Sequence, residues 1–431
     1  MSVKVDTRAP VLSATPRSAL VDEPFAIAVK NVAPGARVSI RSRLVDDTGV
    51  TWSAAAAFRA DDRGRVDLRR DAPEPGGSYE GVEPTGLMWS LRAEGDGPGN
   101  PLHFRRSLDP LQLRIEVAAG SGATATATLE RLSIAPGVRR TEVRDRGLVG
   151  TFFERVAGPA PALVVLGGSG GGLSEPLAAL FASHGFATLA LGYFAAPGLP
   201  DELKNIPLEY FETAFDWLSE QRSVRGERVG IVGASRGGEL ALLLGVTFPR
   251  VGAVVSYAPS ALVYGGLGRT AGNPGPAWLY RGEPVPWFQP KTPPAPLPAT
   301  APKGGIPLTP GFLKGLEDHE AVERALIPVE RVNGPIMLVS GDDDQMWPSS
   351  RYASMIMRRL RERGHAFADQ HLAYPGCGHL VNFPYVPTTV DSSKHPVTGH
   401  VFAYGGTPEG QAHAREDSWP KVLAFLREAL G

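Results

Sequence analysis

One pentapeptide in this chain has the spacing expected of a nucleophilic serine. Gly233-Ala234-Ser235-Arg236-Gly237 follows an apolar stretch at residues 229–232 and precedes another at 239–245. Glycines on both sides allow a strained turn with neighbouring chain packed closely against it, and such a turn exposes the serine hydroxyl where a helix begins. The helix dipole and its free N–H groups favour a developing oxyanion there. We therefore predict that Ser235 is a nucleophile; without these flanks the same pentapeptide would indicate only a tight turn.

A serine nucleophile needs a base, and the base needs an acid that orients it. Three consecutive aspartates, Asp342, Asp343 and Asp344, follow a predicted strand at residues 335–339. The Gly-x-x-Asp spacing from Gly341 favours Asp344 as the acid, with Asp343 as the alternative. We expect Asp342 to be a solvated or capping carboxylate.

The base is predicted to be His379. It lies in a loop of small residues after a final strand at 371–374, where an imidazole can swing over the serine. We interpret six other histidines as surface or core residues: His184, His365, His371, His395, His400 and His413. Cys377 is close to His379 in sequence but lacks a turn that would expose a nucleophile, so we interpret it as a structural cysteine.

An acyl-transfer site also needs two donors to an oxyanion. One is expected to be the backbone N–H of Arg236, the residue after the serine. The other is expected in the glycine-rich stretch 167–173, where Ser169 and Gly170 are the predicted donors and Gly168 is the alternative. This stretch superficially resembles a nucleotide-binding loop, but no Gly-Lys-Ser/Thr follows it. We therefore expect no nucleotide to bind there; no cofactor and no metal ion are predicted for the site.

The elements that must position these residues differ between the first third of the chain and the rest. Apolar and polar residues mostly alternate in 38–44 and 111–117, as expected of strands with one face on a core and the other in water. Five similar runs, with turn-forming residues between them, bring the number of short strands to about seven and indicate a β-sandwich over residues 1–138. These runs are residues 25–29, 51–58, 66–68, 87–91 and 123–132.

From residue 139 to 431 the pattern is typical of an α/β domain. A hairpin is predicted over 141–156, turning near 145–147, and continuously apolar strands then alternate with helices. Continuous apolar strands are expected in a parallel sheet that is covered on both faces. The predicted strands are 162–166, 187–191, 229–232, 253–257 and 335–339, and one predicted helix carries an apolar stripe of Phe211, Ala214, Phe215 and Leu218. This alternation predicts a doubly wound sheet.

One segment fits neither pattern. Residues 282–310 contain ten prolines and almost no periodicity. A stretch of this length inside a compact domain is usually a functional loop or an insert. We predict a cap over the site within about residues 262–312, and a plain surface excursion is the alternative.

Composition sets the remaining limits. The length of 431 residues predicts two or three domains, and 44 basic against 45 acidic residues leave no global field for nucleic acid or an anionic membrane. The single cysteine excludes a disulfide framework and suits a reducing compartment. No signal peptide and no apolar run near 18 residues is found, so we expect a cytoplasmic protein without a membrane span. The oligomeric state stays open, and a monomer is compatible with the sequence.

Several stretches, taken together and in order, resemble the family of type I acyl-CoA thioesterases and bile acid-CoA:amino acid N-acyltransferases. The resemblance covers nearly the whole chain. It is carried by residues 76–89 (GGSYEGVEPTGLMW), 135–140 (APGVRR), 209–212, the pentapeptide with 237–240, 327–331, and 378–379 with 384–385.

The resemblance implies an immunoglobulin-like sandwich followed by an α/β-hydrolase domain, with a triad of Ser235, Asp344 and His379. It also implies that family members with cysteine as nucleophile favour aminolysis, whereas members with serine hydrolyse the thioester. The expected substrate is therefore acyl-CoA or a related acyl thioester, and the expected reaction is hydrolysis. The alternatives are acyl transfer to an amine or hydroxyl, a dienolactone-hydrolase-like esterase or lactonase, and a binding protein without catalysis. The proline-rich segment departs from the family pattern and leaves the acyl group open.

Overall fold

The structure is a computed structural model that describes residues 9–95, 102–120, 122–156, 158–268, 275–292, 297–298 and 300–431. The chain forms two compact units. The first comprises Met1–Ser133 and Pro384–Val390, and the second comprises Ile134–Phe383 and Asp391–Gly431. A seven-residue stretch late in the chain therefore belongs to the first unit, which the sequence did not indicate.

The first unit is built from two small sheets. Its strands are β1 (Val11–Thr15), β2 (Ser18–Leu20), β3 (Ala26–Lys30), β4 (Arg37–Val45), β5 (Thr51–Arg59), β6 (Val66–Asp67), β7 (Arg92–Ala93), β8 (Leu111–Ala119) and β9 (Ala123–Leu132). One sheet has the order β2-β9-β8-β4-β5-β7 and the other β1-β3-β6. Every second side chain of β4 and β8 is buried, as the alternation predicted. The predicted β-sandwich is confirmed.

One predicted strand of this unit is wrong. Residues 87–91 do not form a strand; they overlap the short helix α1 (Gly86–Trp89), in which all four residues are buried. The Trp89 N–H donates to the Thr85 carbonyl and the Ser90 N–H to the Gly86 carbonyl. Because every residue of this turn is buried, its short apolar run carries no period that distinguishes a helix from a strand.

The described part of the second unit has thirteen strands, and eight of them form one central sheet. Its strands are β10 (Val138–Val143), β11 (Val149–Arg155), β12 (Ala160–Leu166), β13 (Ala187–Gly192), β14 (Ile206–Pro207), β15 (Val224–Ala234), β16 (Val251–Tyr257), β17 (Trp278–Tyr280), β18 (Glu283–Pro284), β19 (Ile336–Gly341), β20 (Gln370–Tyr374), β21 (Ser392–Lys394) and β22 (Val401–Ala403). The order of the large sheet is β10-β11-β13-β12-β15-β16-β19-β20, and it is parallel from β13 to β20. The predicted hairpin is the antiparallel pair β10–β11.

Seven α-helices and a 3-10 helix accompany these strands in the described part of the second unit. They are α2 (Glu175–Ser183), α3 (Glu209–Ser219), α4 (Arg236–Thr247), α5 (Thr309–Gly315), α6 (His319–Ala325), the 3-10 helix Val329–Arg331, α7 (Ser349–Glu362) and α8 (Pro408–Leu430). The predicted stripe on α3 is fully buried, which confirms that the helix packs through this face. None of the helices in the described ranges is long and apolar enough to cross a membrane.

The sheet order decides which loops meet. Strands β15, β16, β19 and β20 are parallel neighbours, so their carboxyl ends share one edge of the sheet. Ser235 directly follows β15, while Asp344 and His379 lie in the loops after β19 and β20. Binding sites of open α/β sheets form at this edge.

The proline-rich segment is anchored at both ends. Near its start Phe288 is buried, and its N–H donates to the Val263 carbonyl at 2.8 Å. Near its end Ile306 pairs with Phe402 of β22, and the Thr309 N–H donates to the Gln345 carbonyl at 3.1 Å. Within the predicted cap of residues 262–312, residues 269–274, 293–296 and 299 lie outside the described residues.

Candidate active site

Ser235 occupies a strained turn between β15 and α4. Its backbone has φ 57° and ψ −123°, outside the regions that non-glycine residues usually adopt. A Cβ on Gly233 would lie 2.0 Å from the Gly237 carbonyl oxygen, and a Cβ on Gly237 would lie 2.3 Å from the Gly167 carbonyl oxygen. The flanking glycines are therefore required by close backbone packing.

Asp344 acts only as an acceptor of hydrogen bonds. Its Oδ1 accepts from the N–H groups of Met346 at 2.9 Å and Trp347 at 3.3 Å, and its Oδ2 accepts from the Ser349 hydroxyl at 2.6 Å. The residue is buried at 5 % exposure. Three donors thus hold the carboxylate in one orientation at the start of α7.

The other two aspartates point elsewhere. The Asp342 carboxylate accepts from the Ser350 hydroxyl at 2.9 Å, and the Asp343 carboxylate accepts from the Gly406 N–H at 2.9 Å. Both residues are exposed. Of the three, only Asp344 has a hydrogen bond to a histidine in the described part of the chain.

His379 is that histidine. Its Nδ1 lies 2.8 Å from Asp344 Oδ2 and 3.0 Å from Oδ1, and the residue is 8 % exposed. Since the carboxylate can only accept here, Nδ1 carries the imidazole proton and donates a hydrogen bond to Asp344. Nε2 is then left as an acceptor. The Trp347 ring lies edge-on at 6.0 Å and the Tyr404 ring is parallel at 6.4 Å, so the imidazole is held between two aromatic rings.

Ser235 and His379 approach the same edge of the sheet without a direct hydrogen bond. Among the described residues, the hydrogen bonds of the His379 side chain run to Asp344 alone. Hydrogen bonds between nucleophile and base are often long in ligand-free enzymes and tighten in the complex with substrate.

Cys377 is buried beside this loop. Its thiol donates to Gln411 Oε1 at 2.8 Å, and burial raises the pKa of the thiol to about 12. The same amide oxygen accepts from the Gly378 N–H at 3.0 Å. The thiol is therefore protonated at neutral pH and helps to fix the loop that carries His379.

Arg236 turns its side chain away from the serine into the core. Its guanidinium lies 3.1 Å from the Glu239 carboxylate and donates to the Tyr264 carbonyl at 3.0 Å, while Glu239 also accepts from the Trp278 indole at 3.0 Å. The buried ion pair leaves only the backbone N–H of Arg236 available at the site. This N–H begins α4 and is one of the N–H groups that a helix start leaves without an intrahelical partner.

The glycine-rich loop 167–173 lies beside the serine, with one glycine in contact with it. A Cβ on Gly168 would lie 3.4 Å from Ser235 Cβ and 3.9 Å from Ser235 Oγ. Ser169 is half-buried, and Gly170 is exposed with Pro396 Cγ 3.4 Å from the position of a Cβ. Which of the three N–H groups faces an oxyanion stays a prediction.

Three of the remaining histidines make hydrogen bonds through their rings outside the Asp344–His379 pair. His365 binds Asp369 at 2.6 Å and His371 binds Ser340 at 2.8 Å, both in partly buried structural contacts. His395 is different, because its Nε2 lies 2.9 Å from Ser169 Oγ in the glycine-rich loop. No local pattern reveals this contact, since the two residues are 226 positions apart in sequence.

The order of the eight strands, with a strained serine turn after β15 and an Asp–His pair after β19 and β20, defines an α/β-hydrolase. Comparisons with known proteins narrow this class. Residues 206–431 match the model of the BAAT / acyl-CoA thioester hydrolase C-terminal region, and residues 22–145 match that of the acyl-CoA thioester hydrolase/BAAT N-terminal region.

Similar relatives cover almost the whole chain. Acyl-coenzyme A thioesterase 1 of Mus musculus is 34 % identical over 95 % of this chain and 94 % of its own length. The peroxisomal succinyl-coenzyme A thioesterase of Mus musculus has the same identity and coverage, and the mitochondrial acyl-coenzyme A thioesterase 2 of Homo sapiens is 34 % identical over 95 % of this chain and 82 % of its own length. The chain belongs to the acyl-CoA thioester hydrolase/BAAT family of enzymes.

Proposed function

We propose that this enzyme hydrolyses acyl thioesters, with acyl-CoA as the substrate class, through an acyl-enzyme on Ser235. The observation that carries the proposal is the Asp344–His379 pair at the edge of the sheet where the strained Ser235 turn lies. The named thioesterases among the relatives support the substrate class.

In the first half of the proposed reaction, Ser235 Oγ attacks the carbonyl carbon of the thioester. His379 Nε2 takes the hydroxyl proton, and Asp344 stabilises the imidazolium. The carbonyl oxygen becomes an oxyanion that accepts from the N–H of Arg236 and from the glycine-rich loop, with Ser169 and Gly170 as the proposed donors and Gly168 as the alternative. The carbon–sulfur bond then breaks, and His379 returns the proton to the leaving thiolate.

In the second half, a water molecule attacks the ester carbonyl of the acyl-enzyme. His379 Nε2 takes a proton from the water and then donates it to Ser235 Oγ as the free acid leaves. The net reaction is acyl-CoA plus water to a carboxylic acid and a thiol. It needs no cofactor or metal, because every proton transfer is assigned to His379.

A substrate panel tests this proposal. We expect hydrolysis of acyl-CoAs in preference to oxygen esters and lactones with the same acyl groups, measured as kcat/KM over increasing chain length. Faster turnover of a lactone or ester would favour the dienolactone-hydrolase-like alternative. A chain that turns over none of them and fails to react with a covalent serine probe would be a binding protein.

The acceptor of the acyl group is the next testable point. An oxygen ester is less reactive toward amines than a thioester, and His379 can activate water without a separate amine pocket. We predict that the wild-type enzyme forms free acid, with little N-acyl amino acid even in millimolar glycine or taurine. Product analysis by mass spectrometry measures the partition.

The matched variant is Ser235→Cys, which replaces the ester intermediate with a thioester. We expect it to shift the partition toward the amide if the pocket admits an amine. Amide as the main product of the wild-type enzyme would reverse the choice of acceptor while leaving Ser235 as the nucleophile.

We also propose that the proline-rich segment caps the acyl-binding region. A row of aromatic rings supports this role: Phe288 lies 5.6 Å from Tyr264, Tyr264 lies 5.9 Å from Trp347, and Trp347 lies 6.0 Å from His379. An acyl chain covered by such rings gains about 0.8 kcal/mol for each buried methylene.

Shortening the segment tests the cap. We predict that halving residues 292–303 with a Gly/Ser linker, which keeps the anchors Phe288 and Ile306, changes the chain-length preference in kcat/KM more than it changes Tm. A Gly/Ser replacement of unchanged length is the control that separates length from composition. Unaltered preference together with a large drop in Tm would make the segment purely structural.

The cytoplasm is our proposed compartment, on the sequence grounds given above. Two of the relatives carry mitochondrial and peroxisomal names, so the family occupies more than one compartment. Fractionation of the native cells with an antibody against the full chain tests the proposal, and recovery with an organelle or membrane fraction would contradict it.

A further inference from the structure

A side-chain hydrogen bond ties the glycine-rich loop to a distant hairpin. His395 Nε2 lies 2.9 Å from Ser169 Oγ, and His395 is 8 % exposed. His395 begins the turn between β21 and β22, whose ends are joined by the His395 N–H to the His400 carbonyl at 2.7 Å. The reaction proposed above uses the loop but not the histidine.

The neighbours of the ring assign its tautomer. His395 Nδ1 accepts from the N–H of Val397 at 3.3 Å and from the N–H of Thr398 at 3.2 Å. A backbone N–H can only donate, so Nδ1 is unprotonated and the proton is on Nε2. His395 therefore donates to Ser169 Oγ. Burial, with the neighbouring His400, lowers the pKa of His395 to about 4, so the ring is neutral at physiological pH.

The next residue of the turn also lies close to the loop. Pro396 Cγ lies 3.4 Å from where a Cβ of Gly170 would be, so two consecutive residues of the turn lie beside two consecutive residues of the loop. Gly168, on the other side of Ser169, faces Ser235. Ser169 is the middle one of the three residues that could supply an oxyanion donor, and its side chain is hydrogen-bonded to His395.

The hairpin also reaches the base. Directly after β22, the Tyr404 carbonyl accepts from the N–H of His379 at 2.9 Å and from the N–H of Gln345 at 3.3 Å. The hairpin therefore connects the glycine-rich loop with the loops that carry His379 and Asp344. A fixed distance between oxyanion donors and base is what an acyl-transfer site requires, because small misplacements are costly in rate.

We propose that His395 is a positioning residue for the oxyanion donors, acting through its Nε2–H bond to Ser169. The bond holds the loop so that its backbone N–H groups point at the oxyanion formed on the Ser235 adduct. This role rests on the proposed acyl-enzyme chemistry, but it requires no particular acyl group or acceptor.

Two substitutions of His395 separate positioning from structural support. In His395→Asn the side-chain oxygen can still accept from Val397 and Thr398, but the side chain is too short to reach Ser169. In His395→Gln the terminal amide can reach and donate to Ser169, but the acceptor for the turn is lost. The two variants thus keep opposite halves of the native contact.

We expect His395→Asn to lower kcat about 10- to 100-fold with KM changed less than about threefold and Tm almost unchanged, because misplaced donors affect the transition state most. His395→Gln should keep kcat within about threefold and lower Tm instead. Ser169→Ala should reproduce the kcat loss of His395→Asn. The double variant His395→Asn/Ser169→Ala should have a kcat no lower than that of the slower single variant, since each substitution removes the same hydrogen bond.

The matched control is His371→Asn, which removes a histidine bond of similar length to Ser340 outside the loop. It should leave kcat within about threefold of the wild type. The role is overturned if His395→Asn retains wild-type kcat, if its loss of kcat follows a loss of Tm as in His395→Gln, or if the two single losses multiply in the double variant.

A second readout keeps failure of this role distinct from failure of the proposed substrate. The rate at which Ser235 reacts with a fluorophosphonate also depends on oxyanion donors, and it needs no acyl-CoA. A wild-type enzyme that labels but does not cleave acyl-CoA contradicts the substrate, and slower labelling of His395→Asn still supports positioning. Equal labelling rates of the wild-type enzyme and His395→Asn contradict the positioning role, while the enzyme would still be a serine hydrolase. A wild-type chain that neither labels nor cleaves contradicts both.

Discussion

Ser235→Ala is expected to lower kcat for acyl-CoA hydrolysis by at least about 10³-fold, because members of a triad act as a unit and the residual rate comes from binding and the oxyanion donors alone. The backbone carries the strain at this position, with φ 57°, and an alanine there has the same Cβ as the serine. The variant should therefore fold like the wild type. Steady-state kinetics with thermal unfolding measure both expectations.

Two controls make the result specific. Ser349→Ala removes a buried hydroxyl that contacts Asp344 and should reduce kcat much less than Ser235→Ala, since Asp344 keeps its bonds to two backbone N–H groups. Mass spectrometry after a short reaction should find an acyl adduct on Ser235 and not on Ser349. Near wild-type turnover of Ser235→Ala would remove this serine from the mechanism and leave the fold unaffected.

The sequence was most informative where the signal is local. Strands β4 and β8 alternate buried and exposed residues along their whole length, so two-residue periodicity alone predicted them. The serine turn was predictable for a similar reason. The packing around Gly233 and Gly237 leaves no room for a Cβ, so the turn requires glycine at both positions, and both lie within five adjacent residues.

Local periodicity failed where burial has no single face. The segment at residues 87–91 is a short, mostly apolar run that was predicted as a strand, yet Gly86–Trp89 is one helical turn with every residue buried. When every residue of a short segment is buried, apolar spacing cannot distinguish a strand from a helix.

Contacts between distant parts of the chain were invisible for a different reason. Pro384–Val390 belongs to the first unit although it follows more than 200 residues of the second unit. His395 contacts Ser169 because β21 and β22 fold back toward the loop after β12. Neither stretch has a sequence pattern that predicts contact with the other. Such pairings depend on tertiary packing, which single-sequence periodicity does not encode.

Choosing among three aspartates was an intermediate case, and it leads to the second large expected effect. We expect Asp344→Asn to lower kcat by up to about 10⁴-fold, because an amide beside the imidazole favours the wrong tautomer. The carboxylate contacts define how the amide would be oriented. The N–H groups of Met346 and Trp347 both point at Oδ1, so the amide oxygen takes that position and the NH₂ group takes the place of Oδ2.

In that orientation the NH₂ group donates to His379 Nδ1 and to the Ser349 hydroxyl, which can reverse its role and accept. The imidazole proton then has to be on Nε2, where it blocks proton transfer from Ser235. Because the bonds from Met346 and Trp347 and the bond with Ser349 each keep a donor and an acceptor, we expect Tm to change little while kcat falls. Asp342→Asn and Asp343→Asn are the matched controls, and their partners Ser350 and Gly406 N–H can still donate to the remaining amide oxygen. Measuring kcat and the NMR signals of the His379 ring nitrogens in all three variants decides the assignment, and a larger loss at Asp343 than at Asp344 would move the acid by one residue.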